Sequence, residues 1–309
     1  LSNARNVRIE GGFIIRGMAF EAVKLVAGAG SSTTNIVIRG LRVLSNTAHG
    51  IWLNGANVDA NRIESNWIDG RGAQDQGVQI FDGDRNVITN NTIFGHVQNG
   101  VNFQWSAASN RVLANNIRSN AGSGIRITSN AARGNIVGGN ALDGRGRQRF
   151  GVLILDAGAN GVANNLIVAN TNAGVSIAGA AVSNTVAGNN IRSNTTYGVA
   201  VSGVDADANR VAGNTIRGPG QQYGVYISDG GRNVVSNNFI TNQDSYGVYL
   251  FAAAATNRVI GNGLWSNSSI GIFLNGGAAD ANRLEGNTIG KGGTSGGIYV
   301  NDGDGNIVT

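Results

Sequence analysis

The chain has no cysteine, which excludes a disulfide framework, a thiolate metal site and a cysteine nucleophile. It has one proline, one methionine and two histidines in 309 residues. Charged residues make up only 13% against 41% hydrophobic, so a core can form without the Lys/Glu-rich surface of a helical protein. No stretch joins good helix formers to an apolar repeat of three and four, and residues 18–26 come nearest. A leader pattern and a long apolar run are both missing, so neither a signal peptide nor membrane insertion is expected. The net charge of +5 is a weak field for this length. It is not a nucleic-acid footprint, though an anionic polysaccharide is compatible with it. Neither a Ser-His-Asp set nor a phosphate-cradling loop is present, since the Gly-x-Gly runs follow a repeat and do not open helices.

What is abundant is glycine, at 49 residues, together with asparagine. Both recur in one template: Asn-x-[Ile/Val]-x-x-Asn-x-[Ile/Leu], a turn that often carries another Asn, then Gly-[Val/Ile]-x-[Ile/Val/Leu]. Its first position falls at Asn61, Asn86, Asn110, Asn135, Asn160, Asn184, Asn209, Asn233, Asn257, Asn282 and Asn306, always about 24 or 25 residues apart. Ile36 fills that position one coil earlier, and residues 7–14 read as a degenerate first coil. Each coil holds three short runs of alternating apolar and polar residues, such as Arg62-Ile63-Glu64, Trp67-Ile68-Asp69 and Val78-Gln79-Ile80. Period two is the strand signal. One short strand cannot bury its apolar face alone, but three per coil stacked on the coil below make parallel sheets around an Ile/Val core.

The expected fold is therefore all-β, a single-stranded right-handed parallel β-helix of about 12 coils and roughly 55 to 60 Å at the usual strand spacing. The second template asparagine, from Asn66 and Asn91 through Asn287, reads as a structural ladder at a tight corner, where Asn tolerates left-handed backbone and bonds along the stack. The Asn-x-Ile-x-x-Asn-x-Ile and Gly-Ile-x-Leu runs resemble the right-handed parallel β-helix repeat family. That family includes carbohydrate-binding and sugar-hydrolase modules and the repeats of the periplasmic nitrous-oxide-reductase maturation protein. The resemblance implies the fold far more than an activity, because this scaffold also hosts lyases, epimerases, tailspikes and adhesins.

A longer period overlies the coil. The coils beginning at Asn61, Asn135, Asn209 and Asn282 share a Gly-rich turn without a third Asn: Asp69-Gly70-Arg71-Gly72, Asp143-Gly144-Arg145-Gly146, Arg217-Gly218-Pro219-Gly220 and Gly290-Lys291-Gly292-Gly293. The turns that follow share Asp82, Asp156, Asp229 and Asp302. A three-coil block of about 73 or 74 residues has been duplicated in tandem. One continuous domain spans residues 1–309, with residues 1–35 as the degenerate first coil plus an insertion and residues 36–309 as regular coils. Because the pattern is cut at Leu1 and again at Asn306-Ile307-Val308-Thr309, a segment of a longer protein is expected.

Acids sit mostly in turns. Asp82-Gly83-Asp84, Asp205-Ala206-Asp207 and Asp302-Gly303-Asp304 have the spacing of a minimal calcium loop. This makes Asp82, Asp84, Asp302 and Asp304 the candidate Ca²⁺ ligands, although Asp before Gly is ordinary turn chemistry. Asp205 and Asp229, expected to stack in adjacent coils, are with Asp207 and Arg210 the candidate catalytic groups of a lyase or hydrolase. Arg62, Arg111, Arg210, Arg258 and Arg283 form an outward row, with Arg62–Glu64 and Arg283–Glu285 expected as local pairs. Arg118 and Arg192 mark another face. His49 and His96 fall in non-adjacent coils and read as exposed turn residues, supporting neither an acid-base pair nor a metal site.

The most suggestive surface is aromatic. The middle residue of the Gly-[Val/Ile]-x-[Ile/Val/Leu] strand points outward, and in four consecutive coils it is Tyr226, Tyr249, Phe273 and Tyr299. Tyr197, Tyr223 and Tyr246 precede the glycine of their strands. Such a stripe can be a plain ladder, an interface with a neighbouring domain or second copy, or a platform for sugar rings. Turn lengths hardly vary, whereas active sites on such scaffolds elaborate their loops. The expectation is a non-catalytic extracellular or cell-surface rod, periplasmic as a further option, serving as spacer, adhesin shaft or polysaccharide-binding scaffold. The alternative is a polysaccharide lyase, epimerase or glycoside hydrolase.

Overall fold

The computed structural model describes residues 1–290 and 296–309. All of its regular elements are strands; among the described residues there is no helix, hence none long and apolar enough to cross a membrane. Residues 18–26, the nearest thing to a helical pattern, end in the strand Val23–Val26. The strands form three parallel sheets of 13, 12 and 12 strands, each pairing only with the equivalent strand of the coils before and after it. Three strands per coil and one strand per sheet make an all-β parallel solenoid of about 12 turns, as the repeat predicts.

Register follows the template. Arg62–Glu64 pairs with Val37–Arg39 on one side and Val87–Thr89 on the other. Ile36 thus occupies the Asn61 position, and its backbone N–H donates to Asn61 Oδ1 at 2.9 Å. Arg8–Glu10 pairs with Val37–Arg39, so the first coil has the same architecture with a longer connection. In the first two sheets the central residue of each three-residue strand points inward, as in Ile63 and Ile68, and the columns they form are buried except at the ends, where Ile9, Ile15 and Ile289 are partly exposed. The third sheet has longer strands, such as Tyr223–Ser228, and contributes two inward columns. In most of these strands a glycine also faces inward. A Cβ on Gly174 would lie 2.6 Å from Ile191 Cγ2 and 2.7 Å from the Gly198 carbonyl, so the chain cannot carry a side chain there.

Polar ladders hold the corners. From Asn61 onward each backbone N–H in the first column donates to the side-chain oxygen of the next asparagine, as Asn135 does to Asn160 and Asn160 to Asn184. The second column repeats this, with Asn140 donating to Asn165 and Asn165 to Asn189. The side-chain NH₂ groups reach back to carbonyls of the preceding coil, as Asn165 does to Val137. The ladder role is as predicted, but the left-handed residue is not the asparagine. It is the residue before it: Ala60, Ser65, Ala114 and Ala159 have φ of 54°, 56°, 54° and 55°. That turn aims the asparagine amide into the wall, where its bonds offset the cost of left-handed backbone, about 1–2 kcal/mol per residue.

A third ladder lines the corner before the third sheet, and its residue type varies: Asn46, Gln74, His96, Asn120, Gln148, Asn170, Asn194, Gln221, Gln243 and Asn267, all buried. Gln148 accepts from Asn120 and donates to Asn170 at 2.8 Å; Gln221 donates to Gln243 at 2.7 Å. The Gly-rich turns explain the three-coil period. At the three described turns of the widened kind, as at Asp69-Gly70-Arg71-Gly72, the rung is glutamine (Gln74, Gln148 and Gln221), while Gln243 is a glutamine at an ordinary turn. The fourth such turn lies outside the described residues from Lys291 onward.

Candidate functional site

The outer face of the third sheet is set by two residues of each strand, three apart. The inward glycine between them turns both to the same side, so Tyr223 and Tyr226 meet with ring centroids 6.1 Å apart. Register aligns Tyr226, Tyr249, Phe273 and Tyr299 in one column and Tyr197, Tyr223 and Tyr246 in another. The columns touch. Tyr197 stacks on Tyr226 at 4.9 Å, Tyr249 on Phe273 at 5.2 Å with planes 5° apart, and Phe273 on Tyr299 at 5.3 Å. Phe251 joins from the far edge of the strand at 5.5 Å from Tyr249. All six tyrosines of the chain lie in this one cluster. Desolvation pushes the hydroxyls of Tyr197, Tyr223 and Tyr249 up from the usual phenol range, helped by the neighbouring tyrosines. They are neutral at physiological pH and can both donate and accept, as Tyr249 Oη does in accepting from Asn275 at 3.1 Å.

Where the aromatics stop, the face dips. Ser176, Ala178, Ala200 and Ser202 leave a hollow of about 340 Å³, bounded by Tyr197 and Tyr226 on one side and by Arg149, Phe150 and Leu153 on the other. Earlier coils present polar groups on the same face. Asn102 donates to Gln79 at 2.8 Å, and Lys24 Nζ lies 3.9 Å from the centre of the Trp52 ring. Among the described residues the third-sheet strands carry no Asp or Glu, while Lys24 and Arg126 are cationic.

The acidic candidates lie at the corners and do not converge on one another. Asp207 accepts from the Gly231 N–H at 2.7 Å and pairs with Arg232. Asp229 accepts from Ser228 Oγ at 2.6 Å and from the Ala253 N–H at 3.3 Å. Asp205 is exposed and its carboxylate contacts neither of them. Arg210 projects outward from the first sheet beside Thr185 and Val234. The calcium-loop candidates likewise tie one coil to the next or close their own turn. Asp82 accepts from both the N–H and the hydroxyl of Ser106, and Asp84 from the Ala108 N–H at 2.8 Å. Asp302 accepts from the Gly303 N–H, and the Asp304 backbone donates to Asp280. Burial raises the Asp84 carboxyl above its ordinary value, the Ala108 bond opposing. Among the described residues no three His, Asp or Glu side chains converge on a point that could hold a metal ion. The Arg62–Glu64 and Arg283–Glu285 pairs form as expected.

The histidines correct the sequence reading. His96 is completely buried as a rung of the third ladder, its Nδ1 2.7 Å from Asn120 Oδ1. With Nδ1 donating, Nε2 is bare and has no partner. Burial lowers its pKa to about 4 against the opposing Asn120 bond, so it is neutral. The sequence signal for this placement is the Asn-like position of His96 in the repeat, which residue type alone does not carry. His49 lies in the strand His49–Asn54, edge-on to Trp52 at 5.5 Å, with its pKa also lowered by burial.

The model for the right-handed β-helix region matches residues 11–167, half of the chain. The chain belongs to the right-handed β-helix family. A second model, for the periplasmic copper-binding protein NosD, matches residues 127–270 of this β-helix. The donor set does not fit a copper site. There is no cysteine, the one methionine is Met18, and neither histidine lies in the matched span. A search of curated proteins finds no match. Among solved structures, the A-module of mannuronan C-5 epimerase AlgE6 of Azotobacter vinelandii superposes with a TM-score of 0.71 at 16% identity, covering 96% of this chain and 88% of that one. The AlgE4 A-module from the same organism gives 0.69 at 15%, covering 96% and 87%. DFA-IIIase from Arthrobacter chlorophenolicus A6 gives 0.61 at 15%, covering 77% and 66%. At these identities the likeness establishes the β-helix fold.

Proposed function

We propose that this β-helix is a glycan-binding rod, in which the outer face of the third sheet holds a polysaccharide strand. The observation that carries this reading is the continuous aromatic cluster from Tyr197 to Tyr299 beside a hollow of about 340 Å³. Flat aromatic faces with hydroxyls at their rims match the apolar faces and polar edges of sugar rings. Tyr226, Tyr249, Phe273 and Tyr299 would form the platform. Among the described residues the strands of this sheet carry no pair of carboxylates, which acid-base cleavage of a glycosidic bond requires. The similar solved structures, named as epimerases and a DFA-IIIase, act on carbohydrates, which fits a sugar ligand. We place the rod outside the cytoplasm, as an extracellular or cell-surface module or a periplasmic one. The matched copper-binding model and the alginate epimerase AlgG are both described as periplasmic.

One observation favours a catalytic reading, namely that those neighbours are enzymes. The test is to mix the protein with neutral and acidic polysaccharides and follow size-exclusion chromatography with light scattering. Co-elution at unchanged polymer length, lost in a Tyr249→Ala, Phe273→Ala variant, is the expected result. Shortened polymer whose production stops on Asp205→Asn with Asp229→Asn would establish the enzyme instead. No complex with any polymer would leave a spacer or an interface for a second copy, and the protein's own mass in the same trace reports the latter.

A further inference from the structure

We infer that the hollow beside the aromatic cluster is a subsite for an anionic sugar residue, read by Arg149. This rests on the glycan-binding reading above and adds to it the charge of the ligand at one position. The hollow is about 340 Å³, at the small end of ligand clefts. Its floor is cut down to Ser176 and Ala200, both buried, because these two coils carry small residues where their neighbours carry Leu153 and Tyr226. Its wall on one side is the Tyr197–Tyr226 stack. On the other side stands Arg149, exposed, with its guanidinium 5.0 Å from the centre of the Phe150 ring.

Arg149 is a cation without a protein anion. Nine ion pairs are formed among the described residues, and Arg149 is in none of them. Its backbone carbonyl accepts from Asn172 at 3.0 Å, which places the Asn172 side chain at the same rim. Among the described residues the Asn172 side-chain amide has no hydrogen-bond partner, which leaves a donor and an acceptor at a residue that lines the hollow. The guanidinium lies within cation–π reach of the Phe150 ring, and its planar fork matches a carboxylate with two parallel hydrogen bonds. Among the described residues the strands of this sheet carry no acid to repel that carboxylate. A sugar ring lying on Tyr226 over the small floor would direct an acidic substituent to Arg149 and a hydroxyl to Asn172.

The test measures binding of hexagalacturonate and hexamannuronate, and of their carboxyl-reduced neutral counterparts, by calorimetry at low ionic strength. Wild type should bind at least one acidic hexamer about ten-fold tighter than its reduced form, a margin of about 1.4 kcal/mol. Arg149→Gln should bring the two forms together while leaving the neutral form unchanged, and Arg149→Lys should restore part of the preference. Because Arg149 is exposed, unchanged circular dichroism and melting should accompany these substitutions. Equal binding of acidic and neutral hexamers by wild type, or a preference that survives Arg149→Gln, would overturn the subsite and leave the glycan platform standing. If none of the four oligosaccharides bound, the anionic subsite would fall, and the polysaccharide panel above would decide the glycan reading separately.

Discussion

Along the first two corners the residue hardly changes for ten coils, asparagine following asparagine from Asn61 to Asn282 and from Asn66 to Asn287. On the outer face of the third sheet it changes at almost every coil: Trp52, Gln79, Asn102, Arg126, Leu153, Ser176, Ala200, and then Tyr226, Tyr249, Phe273 and Tyr299. The corners are interior, and each rung satisfies backbone groups of two coils at once, so a substitution strands buried donors and acceptors. The face bounds no core. It can be polar for half its length and aromatic for the rest without disturbing the register, which is where a repeat protein acquires a ligand.

The difference can be broken most forcefully at a corner. Asn165→Ala removes the oxygen that the Asn140 N–H uses and the amide that reaches the Val137 carbonyl. At about 1–3 kcal/mol for each stranded group, the loss should be roughly 3–5 kcal/mol, read from denaturant midpoints at unchanged m-value. A loss below about 1 kcal/mol would mean the ladders are not what holds the coils.

His96 tests the third ladder through pH. Its folded pKa of about 4 lies below the ordinary 6.5, so the unfolded chain binds the proton first. The stability it contributes is intact above pH 6.5, falls as pH drops through the window to about 4, and is flat below. The expected loss is about 3 kcal/mol across that window. His96→Asn, which restores the commoner rung, should flatten that segment of the stability curve.

On the face, Tyr226→Ala should cost only about 1–2 kcal/mol, since the ring packs on its neighbours over a half-exposed surface. A larger stability loss than Asn165→Ala would invert the comparison. The smallest effect belongs to the surface pairs. Arg232→Ala breaks the Asp207 contact at an exposed site, so melting should shift by no more than about 1 kcal/mol equivalent, and less in high salt.

How much of this was legible follows from the same contrast. The Asn columns declared the coil length, the three sheets and the register, because every coil needs the same amide at the same place. The third ladder is not legible as one, since asparagine, glutamine and histidine alternate along it, with Gln74, Gln148 and Gln221 at the widened turns and Gln243 at an ordinary one. His96 was misplaced for that reason. The Tyr226 to Tyr299 column followed from strand alternation, but its union with Tyr197, Tyr223 and Tyr246 did not, because the inward glycine puts residues three apart on one side. The hollow was invisible for another reason. It is made by what Ser176 and Ala200 lack, and Arg149 reaches it from outside the strand pattern.

The most direct test of the glycan face is hydroxyl-radical footprinting with and without a polysaccharide that co-elutes with the protein. The account predicts protection of Tyr197, Tyr226 and Tyr249, with labelling of the exposed Trp67 and Trp265 on the second sheet unchanged. Protection of Trp67 and Trp265 with the tyrosines still open would contradict it.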